Sequence, residues 1–297
     1  MLTGLLLLAA ISACSLLETD LAPAPAYVYV PSVTFYTDTI DKSDKNYEGA
    51  NTSRIKDAWL YNSGGLLGAA IGLPALVPVQ VNGADSIDLR VEAGVLRSGQ
   101  DDQRIPYPLM QPYTRRIRLI PGRVDTIYPD FTYYRTRQFA FIEDFDRPGF
   151  RFAINPHYRY PGDTVMAVND ARALAPGNSG MFAISRNNTR FQILTTDQYV
   201  LPGMNLPVFL ELDYHTNLPL EVGYYYDDPK LGPSAADSVI SLYPNSSWNK
   251  VYVSLNEEIA PHQQAGSTAF KFYIGVYNPD SIEPAVFIDN IKLVYLD

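Results

Sequence analysis

Cysteine is almost absent from this chain: its 297 residues contain only Cys14. One cysteine forms no disulfide within the chain, which excludes a small domain stabilised by disulfides. Histidine is nearly as scarce, and His157, His215 and His262 are too scattered to have zinc-ligand spacing. The sequence also has no phosphate-binding loop and no dinucleotide fingerprint. We therefore expect that the protein requires no cofactor.

Catalytic groups are also missing. Ser179 lies in a Pro-Gly-Asn-Ser-Gly segment that resembles the nucleophile loop of trypsin-like proteases. That family needs a histidine and an aspartate well upstream, and the only upstream histidine, His157, lies close by without the family's motif. Glu257 and Glu258 are adjacent, so their side chains point apart and cannot flank one glycosidic bond. We interpret the first segment as a turn that leads into a strand at Met181 and the second as a solvated turn, and we expect a protein that is not an enzyme.

Positive charge is in deficit: 23 basic against 32 acidic residues give a net charge of −9. A surface of this sign repels nucleic acid, which is therefore not an expected partner.

The apolar stretch at residues 5–11 is too short to span a bilayer and matches the hydrophobic region of a signal peptide. The small residues Ser12 and Ala13 precede Cys14, a pattern that resembles the lipobox of bacterial lipoproteins. The resemblance implies that residues 1–13 are removed and that Cys14 carries a diacylglyceryl lipid, palmitate included. The alternative is a buried free cysteine in a helix.

Residues 14–26 are interpreted as a tether. Glu18 and Asp20 come first, and the Leu-Ala-Pro-Ala-Pro-Ala segment that follows favours a stiff polyproline-like conformation. The early acidic residues resemble export signals of Bacteroidota lipoproteins, which implies a lipid-anchored protein on the outer membrane, facing the cell exterior. The alternative is a solvated linker that carries no export signal.

Turn-forming and strand-forming residues are abundant. The chain has 23 Pro, 19 Gly and 22 Tyr, and short alternating runs recur between turns. This pattern predicts an all-β protein of two β-sandwich domains, at residues 27–137 and 138–297. The first has the strand count and spacing of an immunoglobulin-like sandwich. Its predicted strands are at residues 27–36, 54–61, 86–91, 114–120 and 124–133.

Three segments of the first domain have a recognisable form. They are Ile-Lys-Asp-Ala-Trp-Leu-Tyr at 55–61, Leu-Pro-Ala-Leu-Val-Pro-Val at 73–79, and Glu-Ala-Gly-Val at 92–95. They resemble the first domain of uncharacterised Bacteroidota surface lipoproteins. The resemblance implies a location at the cell surface and a fold, and no activity.

The second domain opens with Phe-Ala-Phe-Ile-Glu-Asp-Phe at 139–145 and closes with Val-Phe-Ile-Asp-Asn-Ile-Lys-Leu-Val-Tyr at 286–295. These strands resemble the first and last strands of carbohydrate-binding modules with a galactose-binding-like jelly roll. In such modules the two strands often pair near a structural calcium ion, which implies Glu143 and Asp289 as oxygen ligands. The alternative is that the two carboxylates cap turns.

Four runs of the second domain, at 208–214, 220–226, 250–255 and 270–277, alternate between an apolar face and a face of Tyr, Gly, carboxylate and Lys. Tyrosine stacks on sugar rings, carboxylates bind vicinal hydroxyls, and glycine leaves room for a ligand above a sheet. The second face is therefore a candidate glycan platform, with Gly223 and Gly275 giving room. Its alternatives are a plain solvent-facing surface and a surface packed on the first domain. The candidate glycan-binding residues are Glu211, Asp213, Tyr225, Tyr252, Tyr273 and Tyr277.

Six Asp-Ser/Thr-Ile/Val triplets resemble the O-glycosylation motif of exported Bacteroidota proteins. The alternative is that each aspartate ends a turn and each β-branched residue begins a strand. The hydroxyl residues concerned are Thr39, Ser86, Thr126, Thr164, Ser238 and Ser281.

Together these patterns predict a non-catalytic surface lipoprotein that binds a glycan or another surface component. The alternative is a structural or assembly subunit that docks on an outer-membrane protein complex.

Overall fold

The computed structural model describes residues 24–37, 47–81, 83, 85–203, 206–228 and 232–296, without the side chains of 232–234. Cys14, Thr39 and residues 1–23 lie outside these ranges. The predicted all-β class is confirmed. No helix within the described ranges is long and apolar enough to cross a bilayer.

The first ten strands form what we call the N-terminal body. Its three sheets have the strand orders β5-β1-β9, β10-β2 and β4-β3-β6-β7, and β8 also pairs with β6. The strands are β1 (Ala26–Val30), β2 (Thr34–Phe35), β3 (Asp57–Asn62), β4 (Gly65–Ile71), β5 (Ala75–Val79), β6 (Ser86–Leu96), β7 (Arg104–Pro106), β8 (Tyr113–Arg118), β9 (Val124–Thr126) and β10 (Asp130–Phe131).

Proline divides two of the predicted strands. The run at 27–36 is interrupted after Val30 by Pro31, and the run at 124–133 is interrupted by Pro129. Proline has no backbone N–H to donate to a sheet, so each run forms two short strands. The alternation of residue types along β1 still predicts which side chains are in the core, because Val28 and Val30 are both buried.

The remaining strands form the C-terminal sandwich. One sheet, the inner sheet, has the order β13-β14-β21-β16-β19, with β11 also paired to β21; the other, the outer sheet, has the order β12-β15-β20-β17-β18. The elements are β11 (Arg137–Glu143), β12 (Phe152–Ile154), β13 (Thr164–Val168), β14 (Ser179–Ala183), β15 (Arg190–Thr195), β16 (Val208–Thr216), β17 (Leu220–Asp228), β18 (Gly232–Leu242), β19 (Asn249–Ser254), the helix α1 (Asn256–Gln264), β20 (Phe270–Tyr277) and β21 (Val286–Leu296).

The first and last strands of this sandwich pair antiparallel, with Glu143 opposite Ile291, as the resemblance to jelly rolls predicts. The apolar faces predicted from alternation fill the space between the two sheets. Leu210 and Val253 of the inner sheet and Phe272 and Ile274 of the outer sheet are all buried in one core.

One predicted turn is helical. Glu257 and Glu258 lie in the first turn of α1, so the turn prediction for this pair was wrong. Carboxylates in a first turn are favourable there because the partial charge of the helix N-terminus is positive.

The N-terminal body packs directly on the inner sheet. The ring of Tyr107 lies 4.9 Å from that of Phe209 and 4.8 Å from that of Tyr252. The backbone N–H of Ser98 donates to the Tyr252 carbonyl at 2.8 Å. Phe209, Tyr252 and Val294 therefore belong to the core of the body as well as to the sandwich.

Candidate functional site

The six candidate glycan-binding residues do not share one surface. Glu211 and Asp213 on β16 and Tyr252 on β19 belong to the inner sheet, whereas Tyr225 on β17 and Tyr273 and Tyr277 on β20 belong to the outer sheet. In a sandwich, the outward faces of two sheets point in opposite directions. The expected single platform is therefore corrected to two faces.

The inner-sheet face is covered by the N-terminal body. The Glu211 carboxylate accepts hydrogen bonds from the Tyr107 hydroxyl at 2.6 Å and the Tyr133 hydroxyl at 2.9 Å, both from the body. The Tyr252 hydroxyl accepts the backbone N–H of Arg54 at 3.0 Å. Glu211, Asp213 and Tyr252 are 0%, 4% and 1% exposed. Packing of this face on the N-terminal body, one of the alternatives that the sequence left open, is the arrangement found, and these three side chains offer almost no surface to a saccharide.

The charges buried at this interface are balanced within the inner sheet. The Lys250 ammonium lies 3.2 Å from Glu211 and 3.8 Å from Asp213. Burial alone raises the pKa of the Glu211 carboxyl, but Lys250 and Lys292 together with the tyrosine hydroxyls outweigh it and lower the pKa. Burial, and then the neighbouring Lys250, lower the pKa of Lys292 to about 8. Glu211 and Lys250 thus form an ion pair inside the protein.

The outer-sheet face carries an open cleft of about 430 Å³. It lies across β15, β20 and β17, where Gln192 and Glu221 flank Gly275 in register on either side. Arg190 is opposite Tyr277 at one end. Side chains alternate between the two faces of a strand. Phe191, Leu220 and Val276 point into the core, so the residues next to them in sequence point outward. The outward lining residues are Tyr158, Arg190, Gln192, Glu221, Gly275 and Tyr277.

The two glycines of this face differ in the space above them. A Cβ placed on Gly275 would lie no closer than 3.7 Å to any neighbour, which is an ordinary contact, so the floor of the cleft at this buried glycine has room for a methyl group. A Cβ placed on Gly223 would lie 2.5 Å from the Tyr273 hydroxyl oxygen. The space above Gly223 is therefore filled by the Tyr273 ring, and the expectation that Gly223 leaves room for a ligand was wrong.

Hydrogen bonds orient the polar groups of the cleft. The Gln192 Oε1 accepts from Asn155 Nδ2 at 2.6 Å and from the Tyr225 hydroxyl at 3.0 Å. These two donors fix the orientation of the amide, which leaves its Nε2 to donate. In the same way, the hydroxyl of the buried Tyr273 donates to Glu221 at 3.1 Å. The half-buried Tyr225 and the buried Tyr273 therefore orient the polar side chains of the cleft.

Two groups at one end of the cleft are accessible. The Tyr277 side chain is 52% exposed, and among the three candidate tyrosines of the outer sheet only this one is exposed. The Arg190 guanidinium lies 5.4 Å from the centre of the Tyr158 ring and 3.8 Å from a Glu221 carboxylate oxygen. The cleft therefore combines aromatic surface with an amide, a guanidinium and a carboxylate.

The two carboxylates expected as calcium ligands are engaged by the fold. Glu143 accepts the backbone N–H groups of Phe145 at 2.8 Å and Arg151 at 2.5 Å, as a turn-capping residue does. Asp289 accepts the Ser179 hydroxyl at 2.8 Å, and burial raises the Asp289 pKa to about 8. Among the residues that the structure describes, no group of three or more His, Cys, Asp and Glu is arranged to hold a metal ion.

The Ser179 hydroxyl also has a structural role. It donates to Asp289 and accepts the backbone N–H of Leu174 at 2.9 Å, and Ser179 begins β14. These contacts agree with the interpretation of the segment as a turn that leads into a strand.

The candidate glycosylation residues within the described ranges occupy several settings. Thr126, Thr164, Ser238 and Ser281 are exposed, whereas Ser86 is half-buried. Ser86 and Thr164 begin strands, as the turn-to-strand alternative expects. Ser238 lies inside β18, so that alternative is wrong for this triplet.

Sequence reasoning missed Tyr158, Arg190 and Gln192. No strand is predicted at residues 190–195, so the outward residues of β15 are not assigned to a sheet. The run at 190–195 does alternate, with Phe191 and Ile193 buried. That period of two was the signal that could have identified the strand.

No protein-family model matches the chain, and no curated protein matches it significantly. Solved structures resemble about half of it. The CBM22 and GH10 modules of Clostridium thermocellum endo-1,4-β-D-xylanase 10B, complexed with xylohexaose, match 54% of this chain and 28% of that one, with a TM-score of 0.40 and 10% identity. The enzymatically active domain of bacteriophage CBA120 tailspike protein 4 matches 52% of this chain and 20% of that one, with a TM-score of 0.39 and 16% identity.

A smaller solved structure is covered almost completely. A family 29 carbohydrate-binding module complexed with mannohexaose matches 53% of this chain and 92% of that one, with a TM-score of 0.35 and 7% identity. The chain spans less than a third of the xylanase and tailspike chains. At these levels of similarity, no ligand or activity passes from any of these proteins to this one.

Proposed function

We propose that this protein is a non-catalytic binding module that takes a saccharide in the cleft of the outer sheet. The observation that carries the proposal is the cleft at Gly275, where no side chain rises from the floor, with the exposed Tyr277 ring at one side and polar groups of both hydrogen-bonding types around it. Sugar rings present flat C–H faces and hydroxyl edges, and this cleft offers a partner for each.

Recognition divides into two parts. One sugar ring stacks on the exposed tyrosine ring, and its hydroxyls donate to Glu221 and accept from Gln192 and Arg190. Tyr225 and Tyr273 hold the amide and the carboxylate in place through hydrogen bonds of 3.0 and 3.1 Å. Because these groups are oriented before a ligand arrives, little conformational entropy is lost on binding.

The lipid anchor completes the proposal. Cys14 bears the lipid, and residues 15–26 hold the folded part at the outer membrane, facing the cell exterior. This placement is supported by the lipobox-like segment and by the acidic, proline-rich residues that follow it. There the cleft meets surface or environmental glycans.

Affinity electrophoresis and calorimetry of the whole mature chain test the proposal. The probes are xylohexaose, mannohexaose and β-1,4-galactotriose, together with their parent polysaccharides. We expect binding of at least one probe, and about tenfold weaker binding for Tyr277→Ala, because loss of a stacking aromatic removes on the order of 1 kcal/mol or more.

The matched control is Tyr128→Ala. Tyr128 is 66% exposed and lies in the N-terminal body, far from the cleft in the fold, so its loss removes an exposed tyrosine without touching the outer sheet. An equal loss of affinity in both variants, or no binding to a broad glycan array, would contradict the saccharide proposal.

A further inference from the structure

A second site lies at the other end of the C-terminal sandwich, along the open edge of β11. Among the described residues, β11 has one ladder partner, β21, and every residue from Arg137 to Glu143 lines a cleft of about 600 Å³. A cleft lined by residues from both faces of one strand runs along the edge of that strand. The edge of a sheet presents N–H and C=O groups without a ladder partner.

The groups flanking this edge are positively charged. Arg135, Arg147 and Arg151 are exposed and line the cleft, and Arg151 has its carboxylate neighbour, Asp197, only at 3.9 Å. Arg147 lies over the Tyr47 ring, with 5.7 Å between the guanidinium carbon and the ring centre. In a chain of net charge −9, three exposed guanidinium groups around one cleft are a marked local excess.

Two carboxylates also line the cleft, and both are buried. Glu143 and Asp144 are 5% and 8% exposed. Glu143 is engaged by the backbone N–H groups of Phe145 and Arg151, and Asp144 accepts the Tyr47 hydroxyl at 2.8 Å. Burial is also the main cause that raises the Glu143 pKa. The exposed charged side chains that line the cleft are therefore the three arginines.

We propose that the edge of β11 binds an acidic, extended polypeptide segment of a partner protein, which adds to the inner sheet as a further strand. The ladder groups of β11 supply backbone hydrogen bonds at the spacing of a strand, and the arginines select carboxylate side chains. An acidic polysaccharide would satisfy the arginines but has no alternating N–H and C=O groups to pair with the strand. The open edge therefore favours a peptide.

Fluorescence polarisation with the whole chain tests this proposal. The probe is a fluorescein-labelled peptide of alternating Glu and Val. We expect it to bind, with affinity falling as salt rises, and we expect a Lys-Val peptide not to bind. The same Glu-Val peptide with alternate backbone nitrogens methylated keeps its charge but loses ladder donors, and we expect it to bind about tenfold more weakly.

Two triple variants locate the site. Arg135→Gln with Arg147→Gln and Arg151→Gln should weaken binding about tenfold or more. The control, Arg115→Gln with Arg116→Gln and Arg118→Gln, changes the charge equally at three exposed positions of β8 and should leave binding unchanged. Unchanged thermal unfolding would show that both variants fold. Equal binding of the methylated peptide, an equal effect of both triples, no peptide binding, or binding of polygalacturonate in preference to the peptide would overturn the proposal.

Discussion

The Lys250 ammonium lies 3.2 Å from the Glu211 carboxylate, and neither side chain is more than 2% exposed. This ion pair stands where the inner sheet meets the N-terminal body, and the tyrosine hydroxyls of the body complete the coordination of the carboxylate. The polar face of β16 and β19, which the sequence pattern would also allow to face solvent, thus lies at the centre of an interface. The consequence is that the inner-sheet candidates Glu211, Asp213 and Tyr252 are buried, whereas Tyr277 of the outer sheet is exposed.

Loss of the lysine should destabilise the whole protein. Lys250→Met leaves Glu211 buried without its ion-pair partner, and we expect the free energy of unfolding to fall by about 3 kcal/mol or more. Urea denaturation measures this change. Arg116→Gln, which removes an exposed pair with Asp88, serves as the control and should change the free energy by less than about 0.5 kcal/mol. Similar effects of both substitutions would contradict the account of the interface.

Stability should depend on pH through Asp289. Its pKa in the folded chain is about 8, raised from 3.8 by burial. Between these values the unfolded chain has released the proton and the folded chain still holds it, so stability falls as pH rises from about 4 to about 8. Asp289→Asn should flatten this part of the curve and stabilise the protein at pH 8. Denaturation midpoints across this range measure the effect, and an unchanged slope in the variant would refute it.

Two glycine substitutions on one face should behave differently. Gly223→Ala places a methyl group against the Tyr273 ring and the Asp237 carbonyl, and we expect a loss of about 2 kcal/mol. Gly275→Ala meets only ordinary contacts and should cost less than about 1 kcal/mol. Thermal and urea unfolding of the pair provide the comparison. A larger loss for Gly275→Ala would show that the floor of the cleft is not open.

Lipidation can be tested directly. Expression with an azide-bearing palmitate analogue should label the wild-type chain, and the labelled protein should partition into the detergent phase of Triton X-114. Cys14→Ser removes the thiol that would carry the lipid, so this variant should be unlabelled and stay in the aqueous phase. Labelling of the variant would contradict the assignment, and protease accessibility on intact cells would test the outward orientation.

Glycosylation of the triplet residues has a mass signature. In protein purified from its native host, peptides that contain Thr126, Thr164 or Ser281 should carry added hexose-type mass, because these three side chains are exposed. Ser86, half-buried and bonded to Arg116 at 3.0 Å, should be modified least. If the peptides at all six triplets are unmodified, the glycosylation proposal is wrong.

Alternation predicted much of the fold. It identified β16, β17, β19 and β20 and the faces of these strands that form the core, because burial on one face imposes a period of two. It could not say which of the two outward faces another domain covers, since tyrosine and lysine suit water and an interface equally well. Glu211 shows the limit: its partners Tyr107 and Tyr133 are distant in sequence, and only the tertiary structure brings them together.

The site was predicted only in part. Tyr277 and the room above Gly275 followed from the pattern of one strand. Arg190 and Gln192 did not, because β15 begins directly after a loop of polar residues and was not identified as a strand. Tyr225 and Tyr273 were assigned to the correct face, but a sequence does not show that their hydroxyls bind neighbouring side chains instead of solvent.

The most direct test of the central claim is hydrogen–deuterium exchange of the whole chain, with and without the saccharide that binds it best. Protection should increase at residues 190–192 and 273–277 of the outer sheet. Residues 211–213 and 250–254, already covered by the N-terminal body, should not change. Increased protection at the inner-sheet residues with none at the outer sheet, or no change anywhere on addition of saccharide, would contradict the account.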